Sequence, residues 1–207
     1  MFHLPITSLK AQFGDIDIYL FDQLLKGRIQ KGMTLLDAGC GYGRNIQYLL
    51  QTGVKVYGAD TSEEAIARVR QLAYELAPTL PARHFVVADL EELPFEEAKF
   101  DVVVCSAVLH FARDDEHFRK MVQELWRVLK PGGMLFCRFS TTIGLEGKLE
   151  HLEERLYRMS HGPIWFLADE ALIQELEQQL SAERLEPLKT VLVEQERGMT
   201  TWVVRKK

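Results

Sequence analysis

The chain has 207 residues, with thirty acidic against twenty-five basic side chains for a formal charge of -5, 47% hydrophobic residues and 27% charged ones. That length and composition suit one folded domain and exclude a disordered chain, while the acidic balance argues against a broad nucleic-acid or anionic-membrane surface. Cys40, Cys105 and Cys137 are too scattered for a disulfide framework or a CxxC metal site, and neither the start MFHLPITSLK nor any later run looks like a signal peptide or a membrane span, so a cytoplasmic protein is expected.

In chain order, Phe13, Ile16, Leu20, Leu24 and Leu25 fall on one face of an N-terminal helix before Gly27 and Gly32. "MTLLDAG" reads as a short buried strand. Residues 44–50 follow as a helix with Ile46, Leu49 and Leu50 inward, and "VKVYGAD" as the next strand. "TSEEAIARVRQLAYEL" opens on Thr61 three residues before Glu64, a capping-box pattern, and carries Ile66, Val69, Leu72, Ala73 and Leu76 on one face.

"HFVVADL" and "FDVVVCSAV" are strands rich in β-branched residues. "DDEHFRKMVQELWRVLKPGG" is a helix burying Phe118, Met121, Val122, Leu125 and Leu129, followed by the strand "MLFCRFS". "KLEHLEERLYRM" offers Leu149, Leu152, Leu156 and Met159 as an amphipathic helix. A last helix over 169–180 precedes two runs that form a terminal hairpin across Glu196 to Gly198.

Strands alternating with helices imply an α/β, doubly wound, mostly parallel sheet with helices on both faces, and ligands in such sheets sit beyond the strand C-termini. Asp37 to Gly43, Asp60, Asp89, and Cys105 with Ser106 fall at four successive strand ends, which points to one crevice. Gly39, Gly41 and Gly43 would let main-chain N–H groups approach an anionic or strongly polar ligand. The loop is GxGxG, with Arg44 where a dinucleotide fingerprint needs its third glycine, and no phosphate-cradling GxxxxGK[ST] occurs. Asp60, 17 positions beyond Gly43, suits both hydroxyls of a ribose, so a nucleoside without phosphates is suggested.

"LLDAGCGYGRN", "VYGADTS", "VVADLEELPF", "FDVVVCSAVLHF" and "RVLKPGGMLFCRFS" together resemble, in order and spacing, the motifs of class I S-adenosylmethionine-dependent methyltransferases, and the "GCGxGRN" form is similar to small-molecule enzymes of the tellurite-resistance type. The resemblance implies a Rossmann-like, seven-stranded sheet whose last strand is antiparallel. It also implies that Gly39, Cys40 and Gly41 line the methionine part of the cofactor with Asp37 nearby and that Asp60 holds the ribose, with Thr61 and Gly43 in the same site. Asp89 would meet the adenine amine, the N–H of Leu90 would face the ring, and Cys105 would border the sulfonium.

His110, close to the methyl group, is the candidate base or orienting residue. His3, His84, His117, His151 and His161 lack metal spacing and are expected at the surface or in loops, with no zinc site. The expected organisation is one domain, 1–207, with a helical cap (1–30), a cofactor-binding core (31–140), a substrate lid (141–168) and a last helix with its hairpin (169–207). Cap and lid would cover an acceptor cavity touched by Tyr19, Arg138, Tyr157 and Trp165, with Arg113 or Arg138 available to an anionic substrate.

An Asn/Asp-Pro-Pro-aromatic motif, usual in amine methylation of nucleic-acid bases, is replaced here by Cys105-Ser106-Ala107-Val108, so a small-molecule acceptor is expected rather than nucleic acid. The alternatives are an NAD(P)-binding oxidoreductase and a non-catalytic S-adenosylmethionine-binding module.

Overall fold

The computed structural model describes residues 6–160, 162–194 and 196–207; His3 and His161 lie outside them. The N-terminal segment is two helices, α1 (Ile6–Phe13) and α2 (Ile18–Leu25), where the apolar spacing suggests one. The break has a local cause. Gly14 takes a positive φ with its N–H on the Lys10 carbonyl, and Asp17 caps α2 by accepting from the Tyr19 N–H at 2.9 Å.

The strands β1 (Thr34–Ala38), β2 (Lys55–Asp60), β3 (Phe85–Val87), β4 (Phe100–Ser106) and β5 (Leu129–Ser140) alternate with helices α3 (Gln47–Leu50), α4 (Glu63–Leu76) and α5 (Asp115–Val128). Then come β6 (Glu150–Glu153), β7 (Leu156–Arg158), β8 (Ile164–Phe166), α6 (Glu170–Gln179), β9 (Ala182–Arg184), β10 (Lys189–Val193) and β11 (Arg197–Lys206). The main sheet runs β10-β11-β5-β4-β1-β2-β3, parallel from β5 to β3, with β11 antiparallel to β5 and the short β9 added beside β11. The Rossmann-like sheet with an antiparallel last strand is therefore present.

The order reverses between β1 and β4, and that switch point is where a crevice opens at the strand C-termini. Two apolar layers sandwich the sheet. Leu20, Leu49, Ile66 and Val69 from α2, α3 and α4 cover one face; Phe118, Met121, Val122 and Leu125 of α5, with Leu172, Ile173 and Leu176 of α6, cover the other. Removing such apolar surface from water is the main stabilising term.

Four local expectations are corrected. The helix over 44–50 is one turn, α3, because Gly43 and its neighbours are spent on turns. Ser62, not Thr61, caps α4: Asp60 Oδ1 accepts from the Ser62 N–H at 2.9 Å, and the Ser62 hydroxyl accepts from Ala65 N–H at 3.1 Å. The helix before "KPGG" stops at Val128, and Leu129 already pairs with Phe100 in the sheet.

The fourth correction concerns the insert. Residues 149–159 form no helix; β6, β7 and β8 make a separate three-stranded antiparallel sheet, with Glu154 at positive φ in its first turn. Its anchor is Arg155, whose guanidinium reaches Asp115 at 2.5 Å and Asp169 at 3.2 Å. Leu156 pairs with Phe166, which is fully buried and stacks on Phe118, so tertiary burial overrides the helical spacing. The terminal hairpin forms as expected.

Candidate functional site

Each parallel strand delivers one element of the site at its C-terminal end. A cavity of about 400 Å³ lies there, walled by Gly39 and Gly41 after β1, Asp60 and Thr61 after β2, Asp89 and Leu90 after β3, and Ser106 to Val108 and Phe111 after β4. His117 and Met121, one turn apart on α5, close its side. A second cavity of similar size at the opposite end of the sheet contains Lys130, Arg28 and Arg205, but each already has a carboxylate partner.

Glycine is required at two positions of the first wall. Gly39 has φ +76, and a Cβ there would stand 2.3 Å from Val108 Cγ2, so the loops after β1 and β4 touch only because that side chain is absent. Gly41 has φ +50, and a Cβ there would meet nothing within 4 Å. Gly43 instead faces Leu72 and Val69 of α4 and serves packing.

The main-chain donors of this loop do not project into the cavity as a set. Gly39 and Cys40 N–H both donate to the Ala59 carbonyl, at 2.8 and 3.0 Å, and Gly41 N–H donates to Asp60 Oδ2 at 2.8 Å. The expected cradle from Gly39, Cys40 and Gly41 is thus corrected: the bonds that fix the loop to β2 use these three N–H groups. The four-residue α3 carries no side-chain cap and supplies no long dipole in their place.

Asp37 is the exceptional group. It is 1% exposed, neither carboxylate oxygen has a hydrogen-bond partner, and burial pushes its pKa up to about 7 against the pull of Arg44, with the Asp60 charge adding to the rise. A buried carboxylate without a donor is costly, and a cationic or N–H-rich ligand group would satisfy it. Asp60 spends one lone pair on Gly41 and one on Ser62, and Asp89 one on the Glu91 N–H, so both keep acceptor capacity.

The cysteines sit elsewhere. Cys40 is buried against Gly58 and its thiol pKa is driven up by burial; Cys105 is a free, fully buried thiol whose pKa is raised first by its hydrogen bond with the Cys137 thiol and then by burial. Neither side chain reaches the cavity, whose wall at β4 is Ser106, Ala107 and Val108 instead. Ala107 holds φ +65, a left-handed conformation maintained by its N–H bond to the Arg138 carbonyl at 2.7 Å.

His110 lies in the turn Leu109–Phe111, 3% exposed, behind the cavity wall. Its Nδ1 accepts from the Ser140 N–H at 3.4 Å, its ring lies 4.4 Å from that of Trp165, and burial pushes its pKa down to about 4, with Arg197 adding to the fall. Tyr19 and Arg138 meet on the α2 side, the guanidinium 5.4 Å from the ring centroid and 3.1 Å from Asp17. Trp165 packs on the rings of His110 and Phe111, with centroids 4.4 and 6.1 Å away. Tyr157 lies between β6 and β8 against His151, and Arg113 is engaged by Glu91.

Sequence reasoning placed Ser106 at the crevice but missed Ala107 and Val108 as wall residues, and it placed His117 among surface histidines. His117 is buried on α5; its N–H is bonded to the Asp114 cap, and the i, i+4 spacing with the core residue Met121 was the available signal.

Residues 36–137 match the family described as a methyltransferase domain. The chain is 35% identical over 131 residues to the 27-O-demethylrifamycin SV methyltransferase of Amycolatopsis mediterranei (61% of this chain, 47% of the relative). It is 38% identical over 127 residues to a thiol S-methyltransferase of Rattus norvegicus (56% and 47%). The chain thus spans about half the length of these curated relatives. Among solved structures, the PH0226 protein of Pyrococcus horikoshii superposes with TM-score 0.71 at 23% identity, covering 92% of this chain and 89% of that one, a likeness of fold.

Proposed function

Residues 36–137 of this chain are a methyltransferase domain of the class I, S-adenosylmethionine-dependent family, and on that premise we propose that the protein transfers a methyl group from S-adenosylmethionine to a small-molecule acceptor. The observation that carries the proposal is a glycine-walled cavity that presents Asp60 and Asp89, with the unpartnered, buried Asp37 carboxylate on β1 two residues before its Gly39 wall. Three acids suit a ligand with an ammonium, a ribose diol and an exocyclic amine. They suit a dinucleotide poorly, because a pyrophosphate is repelled by carboxylates and the N–H donors of Gly39, Cys40 and Gly41 are already spent.

In this reading Asp37 takes the ammonium and Arg44, exposed beside Ser106 at 3.3 Å, takes the carboxylate of the amino-acid end. Asp60, beside Thr61, holds the hydroxyls, Asp89 accepts from the amine, and Leu90 backs the ring. The cofactor, when bound, supplies a methyl group already activated on its sulfonium. The residues of this chain supply position: Gly39, packed on Val108, and Ala107 fix the wall where an acceptor approaches in line, and positioning alone can contribute roughly 7 to 11 kcal/mol.

His110, with its pKa near 4, is a weak proton acceptor in neutral solution, so it orients rather than deprotonates. The N-terminal cap (1–30), clasped by Asp17 and Arg138, and the insert (141–168), seated by Trp165 on His110, flank the strand ends as covers for the acceptor. Tyr19 and Trp165 belong to those covers, and Arg138 reaches the first of them from β5. Among the described residues no helix is long and apolar enough to cross a membrane, and three free, buried cysteines fit a reducing cytoplasm.

The two relatives compared are named for an oxygen and a sulfur acceptor, so a panel of alcohols, carboxylic acids, thiols and amines, read by release of S-adenosylhomocysteine, is the direct test. Turnover on at least one class is expected. Tighter binding of NAD than of S-adenosylmethionine in a thermal-shift comparison would overturn the reading.

The two glycines separate folding from binding. Gly39→Ala combines positive φ with a 2.3 Å clash and should cost roughly 3 kcal/mol or more, lowering Tm by about 6 °C or more. Gly41→Ala meets no protein atom and should cost roughly 1–2 kcal/mol from φ alone, yet its methyl would intrude on the cavity wall and weaken S-adenosylhomocysteine severalfold in calorimetry. Equal Tm losses for the two variants would contradict the packing assigned to Gly39.

A further inference from the structure

We propose that His117 is a base-reading residue: its Nε2–H donates to N7 of the cofactor adenine, beside the amine that Asp89 receives. The inference rests on the cofactor assigned above and adds a donor that the strand-end motifs do not contain.

His117 is 8% exposed and lines the cavity. Its Nδ1 accepts from the Arg113 N–H at 3.0 Å, which fixes the neutral tautomer: with a lone pair at Nδ1, the ring proton is on Nε2. That Nε2 is buried without a hydrogen-bond partner, and the nearest carboxylate oxygen, Glu91 Oε1, is 3.8 Å away and already shared with Arg113. A buried donor left unpaired is expensive unless a ligand completes it.

Asp89, Glu91 and His117 offer ligand atoms within 4.8 Å of one another, a grouping that could suggest a divalent cation. The tautomer argues against it, because a metal needs the Nε2 lone pair and the Arg113 amide already claims Nδ1. The same proximity instead puts a carboxylate acceptor and an N–H donor side by side. The amine edge of adenine has that complement: an N–H donor flanked by N1 and N7. With the Leu90 N–H, which the resemblance turns toward the ring, placed on N1, the acceptor left for His117 is N7.

The test is calorimetric, on the intact protein, with S-adenosylhomocysteine and its 7-deaza and 3-deaza analogues, in which a carbon replaces N7 or N3. The 7-deaza compound should bind about threefold to tenfold more weakly than the parent, and the 3-deaza compound with unchanged affinity. In His117→Phe the parent should weaken by the same factor and the 7-deaza penalty should vanish. Equal affinity of parent and 7-deaza compounds for the unmodified protein overturns the inference without touching the proposed function, whereas no binding of the parent overturns that function itself. Nitrogen-15 spectra of the imidazoles give an independent reading that needs no variant. A proton on Nε2 that shifts on adding the parent ligand supports the proposal; a proton on Nδ1, or chelator-sensitive binding of manganese at this ring, refutes it.

Discussion

Asp60→Ala is expected to weaken S-adenosylhomocysteine by at least about tenfold, a larger loss than removal of any neutral contact in the cavity should produce. Two effects coincide at this side chain. Hydrogen bonds to a charged acceptor contribute roughly 1.5 to 3 kcal/mol, and the ribose hydroxyls would lose theirs directly. The same carboxylate also holds the Gly41 N–H at 2.8 Å and the Ser62 N–H at 2.9 Å, so alanine removes one of the three bonds that tie the glycine loop to β2, and a tie at the start of α4. Asp60→Asn tests the second effect: its amide must point a donor at one of those two N–H groups, and affinity should fall nearly as far although shape is kept. A dissociation constant within twofold of the parent for both variants would falsify the assignment.

The alternation of strands and helices from β1 to β5 was legible because these strands are buried on both faces and read as near-continuous runs such as Leu35, Leu36 and Val102 to Val104. Acids at strand ends were legible for the same reason, since the topology fixes where a ligand goes. The misreadings occur where a bond distant in sequence decides. Asp60 reaches back to Gly41 and forward to Ser62, which spends one loop donor and moves the α4 cap off Thr61. Arg155, reaching Asp115 and Asp169, anchors a small sheet where spacing favoured a helix. Cys105 alternates to the wrong side of β4 for a cavity residue, and a one-residue step along a strand exchanges its two faces: Ser106 is the residue that arrives. The i, i+4 spacing with Met121 could have placed His117 on the buried face of α5, but the orphaned ring nitrogen that gives it a role is encoded by no spacing.

Asp37→Asn should act in opposite directions on stability and on binding. Unfolded, Asp37 releases its proton near 3.8; folded, burial holds it to about 7. Between those values folding takes up a proton, so this residue makes the free protein lose stability as pH rises from about 4 through 7, and the penalty is complete above 7. The asparagine variant should therefore melt higher at pH 8, by about 4 °C or more, with the advantage fading near pH 4. A ligand ammonium reverses the preference by stabilising the ionised carboxylate. Binding of S-adenosylhomocysteine at pH 6 should then expel a proton, visible as a calorimetric heat that changes with the ionisation enthalpy of the buffer, and affinity should rise between pH 5 and 7. Asp37→Asn should abolish the proton release and weaken the ligand by about tenfold or more. Binding heats independent of buffer in the parent protein would show that the ammonium does not reach this carboxylate. A variant both less stable at pH 8 and unchanged in affinity would mean that Asp37 has a hydrogen-bond partner in the free protein, and the electrostatic logic of the cavity would have to be rebuilt from Arg44 outward.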